Sequence, residues 1–341
     1  MHQSKHSVAF FSFLHAGKML TDPKLCSIAL SIPSLLLKSR ADGTINTYMN
    51  SFKQWEKWTD EFDEVQSMPA DSVYIAIYFA ALIQQGSSFH KIKNTFYAIA
   101  WFHNINNFDN PCNNRIVKGL YEAAKRILSK PRIKKLPITP YHLIKIVKMN
   151  DNRKCVKQTR LVALFLIGYA GFFRYQELVN IRKGDIIIYK NFMRIFVEKS
   201  KCDQYRTGKW IFIAKTNNLT CPVRAIKKYL SLIQVKSKEF IFRSLTYFKS
   251  KNLYKLRKSN SPISYSTARD IVLNAIEKIG INKKFFGTHS LRSGGATAAA
   301  KFGVSDRLFK QHGRWKSENA KDGYVESSLK DLLSVSKNLG I

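Results

Sequence analysis

Residues 288 to 324 read THSLRSGGATAAAKFGVSDRLFKQHGRWKSENAKDGY. His289 and Arg292 open the stretch, a Gly313-Arg314-Trp315 turn stands in its middle, and Tyr324 closes it nine residues after the tryptophan. Thr288 is placed to cap a helix starting at His289, its hydroxyl accepting from an otherwise orphan N–H. Side chains three apart share a helix face, so His289 and Arg292 are expected to point the same way. The N-terminus of that helix also favours an anion. Gly294, Gly295 and the small run Ala296 to Ala300 allow close packing behind this face, and Gly303 is expected to end the helix. Ser305 is placed to cap a second, short helix that stops at Gly313, and Ser317 a third that carries Tyr324. The spacing thus predicts three helix starts and two turns, with His, Arg, Trp and Tyr near their ends.

The rest of the chain is strongly basic. It holds 57 Lys and Arg against 23 Asp and Glu, a formal net charge of +34 over 341 residues. An excess of that size points to a polyanionic partner, most often nucleic acid. The basic residues run through the whole chain, and 45% hydrophobic residues with 13% aromatics suffice for packed cores. A merely basic, ribosomal-type chain is therefore the weaker reading. The length allows two domains. Five cysteines, Cys26, Cys112, Cys155, Cys202 and Cys221, lie far apart with no C-x-x-C pair, so neither a zinc site nor a disulfide framework is suggested. That usage fits a reducing intracellular setting. No apolar run reaches membrane-spanning length. The Val8 to Leu14 patch is short and holds Ser and His, a poor fit to a signal peptide.

Four regions follow in order. Residues 1–38 read as an N-terminal arm or an extra helix. Residues 39–130 read as a helical domain: Ile45, Tyr48, Met49, Phe52 and Trp55 recur at helical spacing. Asp71 to Gln85 reads as a helix apolar almost all round, hence buried. Ser88 is placed to cap a third helix with Phe89, Ile92, Phe96 and Ile99 on one face, and Arg115 to Ile127 makes a fourth. Lys91, Lys93, Lys118, Lys125 and Arg126 are left for an outer face, a candidate DNA surface. Residues 131–140, PRIKKLPITP, read as a linker whose prolines break helices and whose Arg132, Lys134 and Lys135 are basic. Such a connector suits two domains that clasp a polyanion. Residues 141–341 form the second domain. Lys157 to Tyr169 reads as a buried helix running into Gly171-Phe-Phe-Arg174-Tyr-Gln-Glu177. Asp185 to Tyr189, Phe192 to Glu198 and Lys209 to Ala214 read as strands, the second with period-two alternation. Lys199, Lys201, Asp203 and Arg206 fall in the turn between the last two. Pro222 to Ile233 and Ser266 to Ile279 read as amphipathic helices, the second closed by Gly280.

Arg174 and Glu177 in GFFRYQEL, Lys201 in a hairpin, His289-x-x-Arg292, Trp315 and Tyr324 occur in one order. On these residues the stretch from about 140 to 330 resembles the catalytic domain of tyrosine recombinases, the phage-integrase and Xer-like enzymes. Residues before Pro131 resemble the family's helical, SAM-like core-binding domain more loosely. The form HSLRSGGATAAA…HGRW looks most like recombinases of eukaryotic mobile elements. Trp315 is a departure, since most members carry His there in a Leu-Gly-His turn. The resemblance implies a mainly α fold with a small antiparallel β-sheet in the C-terminal domain, arranged as a two-domain DNA clamp. It further implies a site-specific recombinase or integrase that acts through a 3′-phosphotyrosyl intermediate, as a tetramer on two DNA duplexes.

The residue types suit that chemistry. The phosphodiester's negative charge grows in the transition state, and the guanidiniums of Arg174 and Arg292 are suited to hold its oxygens in bidentate forks. Trp315 has one indole N–H to donate. Tyr324 would be the nucleophile, and His289 a base or hydrogen-bond partner. Lys201 would protonate the leaving 5′-oxygen, with Lys199 an alternative two residues away. Glu177 would support Arg174. Further phosphate contacts are expected from Lys91, Lys93, Arg132, Lys134, Lys135 and Arg206. No carboxylate cluster for a metal and no Gly-rich phosphate loop is visible, so no cofactor is expected. The expected partners are double-stranded DNA and further copies of the chain, with no membrane. The expected location is inside the cell with DNA, the nucleus in a eukaryotic host. Two other readings stay open: a type IB topoisomerase-like enzyme, and a non-catalytic DNA binder using Thr288 to Gly313 as a helix-turn-helix-like unit.

Overall fold

A computed structural model describes residues 20–131, 134–150, 154–198, 207–327 and 329–338. They fall into two compact units, divided after residue 132. Among the described residues no helix is long and apolar enough to cross a membrane.

The first unit is all helical. Asp22 accepts from the N–H groups of Lys24 and Leu25 and starts α1 (Pro23–Leu37), where a proline in the first turn loses no helical bond. The apolar Leu25, Ile28, Leu30 and Leu35 of α1 are exposed, and Ala29 is buried. In α2 (Asp42–Thr59), Phe52 and Trp55 face the core. Asp71 caps α3 (Ser72–Gln84), Ser88 caps α4 (Phe89–Ile105) and Asn114 caps α5 (Arg115–Leu128), each through its own side chain. Helix α3 is not buried all round: Ile75, Tyr78, Phe79 and Leu82 form one inward stripe, while Val73 and Ile77 lie in solvent. Its apolar outer face is carried by a helix whose neighbours cover one side. His103 is buried in this core, accepting from Ala70 N–H through Nε2 at 2.8 Å and donating from Nδ1 to Ile99 O at 2.8 Å.

The second unit begins with an extended segment tied to it by main-chain bonds, Leu136 N–H to Phe285 O and Ile138 N–H to Ser290 O. Ile138 is fully buried there. Thr139 and His142 then close a reciprocal cap on α6 (Pro140–Met149). The central helix is α7 (Val156–Ala170), buried over most of its length. After it come α8 (Tyr175–Val179) and a three-stranded antiparallel sheet in the order β1 (Ile186–Ile188), β2 (Phe192–Val197), β3 (Lys209–Ala214). Met193 pairs with Ile213 and Ile195 with Ile211, all facing the core. α9 (Pro222–Leu232) leads to a second hairpin, β4 (Leu245–Phe248) and β5 (Leu253–Leu256), which the sequence reading did not foresee. α10 (Tyr265–Lys278) starts on the Ser264 hydroxyl, and Gly280 follows it with φ +80°. The unit closes with α11 (His289–Lys301), α12 (Asp306–Gly313), α13 (Glu318–Asp322) and α14 (Leu329–Lys337). A mainly α chain with small antiparallel sheets in its C-terminal unit is thus what the fold delivers.

Helix α11 is held close by its small residues. A Cβ at Gly294 would run into the main chain of Ile138, and one at Gly295 into Tyr169 O and the Phe172 ring. Three details of this region differ from the sequence expectation. Thr288 does not cap α11: its backbone is already helical, and its hydroxyl is buried with no hydrogen-bond partner among the described residues. The Ser305 side chain makes no capping bond to α12 either. Tyr324 is not on a helix. α13 stops at Asp322, and Tyr324 lies in the turn beyond it, its N–H donating to Lys321 O at 2.9 Å.

Candidate active site

The site is assembled at one end of α11, against the loop that joins α7 to α8. Arg174 precedes the first turn of α8, and Glu177 reaches back to it: Oε2 accepts from the Arg174 N–H at 2.9 Å and Oε1 from Nη1 at 2.8 Å. A glutamate three residues on from a helix start is the reciprocal half of a capping box. That local rule fixes both side chains. Arg292, one turn into α11, is completely buried. Its Nη2 donates to Gly313 O at 2.6 Å, its Nη1 donates to Phe172 O, and Nη1 lies 3.9 Å from Glu177 Oε2. Its Nε has no partner among the described residues.

Trp315 and Tyr324 close the cluster. The Arg292 guanidinium lies 4.5 Å from the centre of the Trp315 ring and 4.7 Å from that of Tyr324, and the two rings are 5.7 Å apart. Such cation–π placement favours the cation. The indole Nε1–H of Trp315 is buried without a hydrogen-bond partner among the described residues. An unmatched buried donor costs stability unless something uses it. The His289 ring is exposed and sits 6.2 Å from the Tyr324 ring. Thr297 fixes the segment around Tyr324, donating to Tyr324 O at 3.4 Å and accepting from Glu326 N–H at 3.1 Å. Arg174, Glu177, His289, Arg292, Trp315 and Tyr324, far apart in sequence, therefore meet through direct contacts.

The electrostatics follow from this packing. Burial alone would push the Glu177 carboxyl up. Arg314 first, then Arg174, the Arg174 N–H and Arg292 outweigh it and hold the group below the usual carboxylate range. Burial, then Arg174 and Arg314, pull Arg292 down to about 9, against Glu177 and Tyr324, so it remains charged at neutral pH. His312 is lowered chiefly by burial. Its Nε2–H donates to Ala170 O at 2.8 Å, tying α12 to the end of α7.

Several expectations lie elsewhere. Lys201, its neighbour Lys199, Arg132 and Arg206 fall outside the described residues. Lys134 and Lys135 are exposed, but each ammonium donates to a carbonyl of the second unit, Val325 O at 3.3 Å and Lys284 O. Lys93 is exposed and Lys91 half-buried on α4 of the first unit.

The sequence reading missed Arg314, whose guanidinium is buried and donates to Glu177 Oε2 at 2.7 Å. In a chain with 57 Lys and Arg, an arginine between Gly313 and Trp315 gives no sign that it is buried. It also missed His312 and Thr297, whose polar groups bind main chain.

The sequence model of the phage integrase family matches residues 139–330, more than half of the chain and all of the site. The chain belongs to the phage integrase family. Like other members, it is a site-specific DNA recombinase of the tyrosine type. This integrase is 29% identical over 303 residues to the integrase/recombinase xerD homolog of Selenomonas ruminantium, covering 88% of this chain and 86% of that protein. Its fold is similar to that of the XerH site-specific recombinase, solved on a palindromic difH substrate. There the TM-score is 0.58 at 17% identity, over 86% of this chain and 79% of that one. The fold is also similar to a lambda integrase fragment solved as a dimer on a core site, with TM-score 0.51 and 18% identity over 84% and 89% of the two chains. The Tn1549 transposon integrase gives a TM-score of 0.51 at 12% identity, over 96% and 98%.

Proposed function

We propose that this recombinase cuts and rejoins duplex DNA with Tyr324 as nucleophile, through a 3′-phosphotyrosyl intermediate. The observation that carries the reading is the packing of Tyr324 against Arg292 and Trp315, beside Arg174 and Glu177. In the step, the Tyr324 oxygen attacks phosphorus while the bond from phosphorus to the 5′-oxygen breaks. The phenol proton passes toward His289, and the 5′-oxygen leaves as a hydroxyl. Lys201 is assigned as its proton donor on the resemblance, with Lys199 the alternative. Arg174 and Arg292 counter the charge that grows on the non-bridging oxygens, and the Trp315 indole donates one hydrogen bond. Because the phosphotyrosyl link keeps the ester energy, a second 5′-hydroxyl can reverse the step on another strand.

The domain division proposed is an N-terminal arm over 1–38, a core-binding domain over 39–130, a connector over 131–140 and a catalytic domain over 141–341. Lys91, Lys93, Arg132, Lys134, Lys135 and Arg206 would meet phosphates. Strand exchange needs two duplexes, which supports a tetramer. α14, with Leu332 and Leu333 exposed, suits docking on a neighbouring copy. The protein would work inside the cell on DNA, in the nucleus of a eukaryotic host.

The test uses a pool of duplexes with a nick in a randomised sequence, incubated with the protein in EDTA. A covalent adduct on denaturing gels, mapped to Tyr324 and joined to a 3′-phosphate, is expected. An adduct mapped to another tyrosine would overturn the assignment. A binder without catalysis would give no adduct with any member of the pool.

A further inference from the structure

Arg314 stands in the left-handed backbone region, φ 56° and ψ 42°, which side chains other than those of Gly, Asn and Asp seldom adopt. Phe172 is in the same region, with φ 48°. Such conformations persist only where neighbouring contacts outweigh their cost, and they gather at functional sites. Here the two strained turns are bound to each other. Arg314 donates to Phe172 O at 2.9 Å, Gly171 O at 3.1 Å and His312 O at 2.8 Å, and to Glu177 Oε2 at 2.7 Å. Arg292 uses two of the same groups: it donates to Phe172 O and approaches Glu177 Oε2 to 3.9 Å. Two guanidiniums therefore contend for one carboxylate oxygen, and Arg314 is the nearer.

We propose that Arg314 is a positioning residue: by holding Glu177 Oε2 it keeps the Arg292–Glu177 ion pair long, at 3.9 Å, instead of letting it close to a hydrogen bond, and so leaves Arg292 to the scissile phosphate. The inference rests on the phosphodiester reading of the site. Glu177 is a strong competitor for Arg292, since its neighbours keep it ionised although buried. The Arg174 contacts fix the carboxylate's place, with the guanidinium on Oε1 and only the main-chain N–H on Oε2, so the guanidiniums that approach Oε2 are those of Arg314 and Arg292. A role in packing alone would depend on the shape of Arg314. A role as phosphate ligand would not depend on Glu177. The positioning role ties the effect of Arg314 to the charge of Glu177, and a double-mutant cycle measures that tie.

The readout is the single-turnover rate of adduct formation on the nicked, randomised duplex pool, with DNA affinity measured beside it. Arg314→Gly suits the backbone angle and removes the guanidinium. It is expected to slow adduct formation about 10-fold or more, with affinity changed by less than about 3-fold. Glu177→Gln alone also slows the reaction, because Arg174 loses its ion pair. Added to Arg314→Gly, it is expected to restore several-fold of the lost rate. Parent-like cleavage by Arg314→Gly would overturn the proposal. So would an equal fold-loss from Arg314→Gly in the parent and in the Glu177→Gln background. If circular dichroism shows Arg314→Gly unfolded, Arg314→Asn, which also suits the backbone angle and lacks the charge, is carried through the same cycle with the same two overturning outcomes. Absence of any adduct from the parent chain would overturn the reading of the site and this inference with it. An adduct from the parent without the coupling would overturn this inference alone.

Discussion

A tyrosine hydroxyl is a weak nucleophile until a positive charge or a base stands beside it. The structure gives that charge through Arg292, whose guanidinium lies over the tyrosine ring. Tyr324→Phe removes one hydroxyl and keeps the ring that packs on Trp315, so folding and DNA binding should survive while adduct formation disappears. Parent-level adduct in that variant would move the nucleophile elsewhere. The two arginines are not equivalent test positions. Arg174→Ala leaves Glu177 still held by Arg314, and should cut cleavage roughly 10²-fold or more with the melting temperature little changed. Arg292→Ala strips the Nη2 donor from Gly313 O and one of two donors from Phe172 O in a fully buried place, so it should lower both cleavage and the melting temperature. Equal melting temperatures for the two variants would contradict this division.

At the scale of elements, what the sequence disclosed was whatever obeys a local rule. His289-x-x-Arg292 sits at a helical interval, so the helix that carries it could be read directly, whereas the short helix that Arg174 and Glu177 cap has too few residues to show a period. The period-two run Phe192 to Val197 gave its strand for the same reason. The β4–β5 hairpin was missed because LTYFKSKNLYKL mixes Lys, Ser and Asn with its apolar residues and shows no clean alternation. Arg314 was missed because its role comes from a left-handed turn and from partners some 140 positions away in sequence. Helix α11 offers an element-scale test. Gly294→Ala sets a methyl against the backbone of Ile138, which has no rotamer to yield, and should destabilise the second unit by about 1–3 kcal/mol. Gly303, with open space around its Cβ position but φ +76°, should suffer from Ala through backbone strain instead. In the first unit, burial lowers the pKa of His103, and its Nε2 is already an acceptor. Below about pH 6.5 the unfolded chain takes up a proton that the folded His103 refuses, so stability falls as pH drops toward the lowered folded value. Thermal melts between pH 7.5 and 5 should show this loss, and His103→Gln should flatten it.

For the whole molecule, the net charge of +34 sets how it meets DNA. Affinity for arbitrary duplex should fall linearly on a log–log plot against salt, and a flat plot would exclude phosphate contacts as its source. The same imbalance recurs in miniature at the site, where Arg174, Arg292 and Arg314 surround the single carboxylate of Glu177. Three like charges packed together repel one another, and Arg174 and Arg314 add to burial in lowering the pKa of Arg292. The folded protein is therefore expected to bind small oxyanions, and its heat resistance would gauge that affinity. Millimolar inorganic phosphate should raise the melting temperature of the second unit along a saturating curve, as a ligand that binds only the native state does. The non-specific salting effect of such ions would rise without a plateau. Arg174→Ala should lower the plateau, which makes a tube of buffer and a thermometer enough to count the charges that wait for DNA.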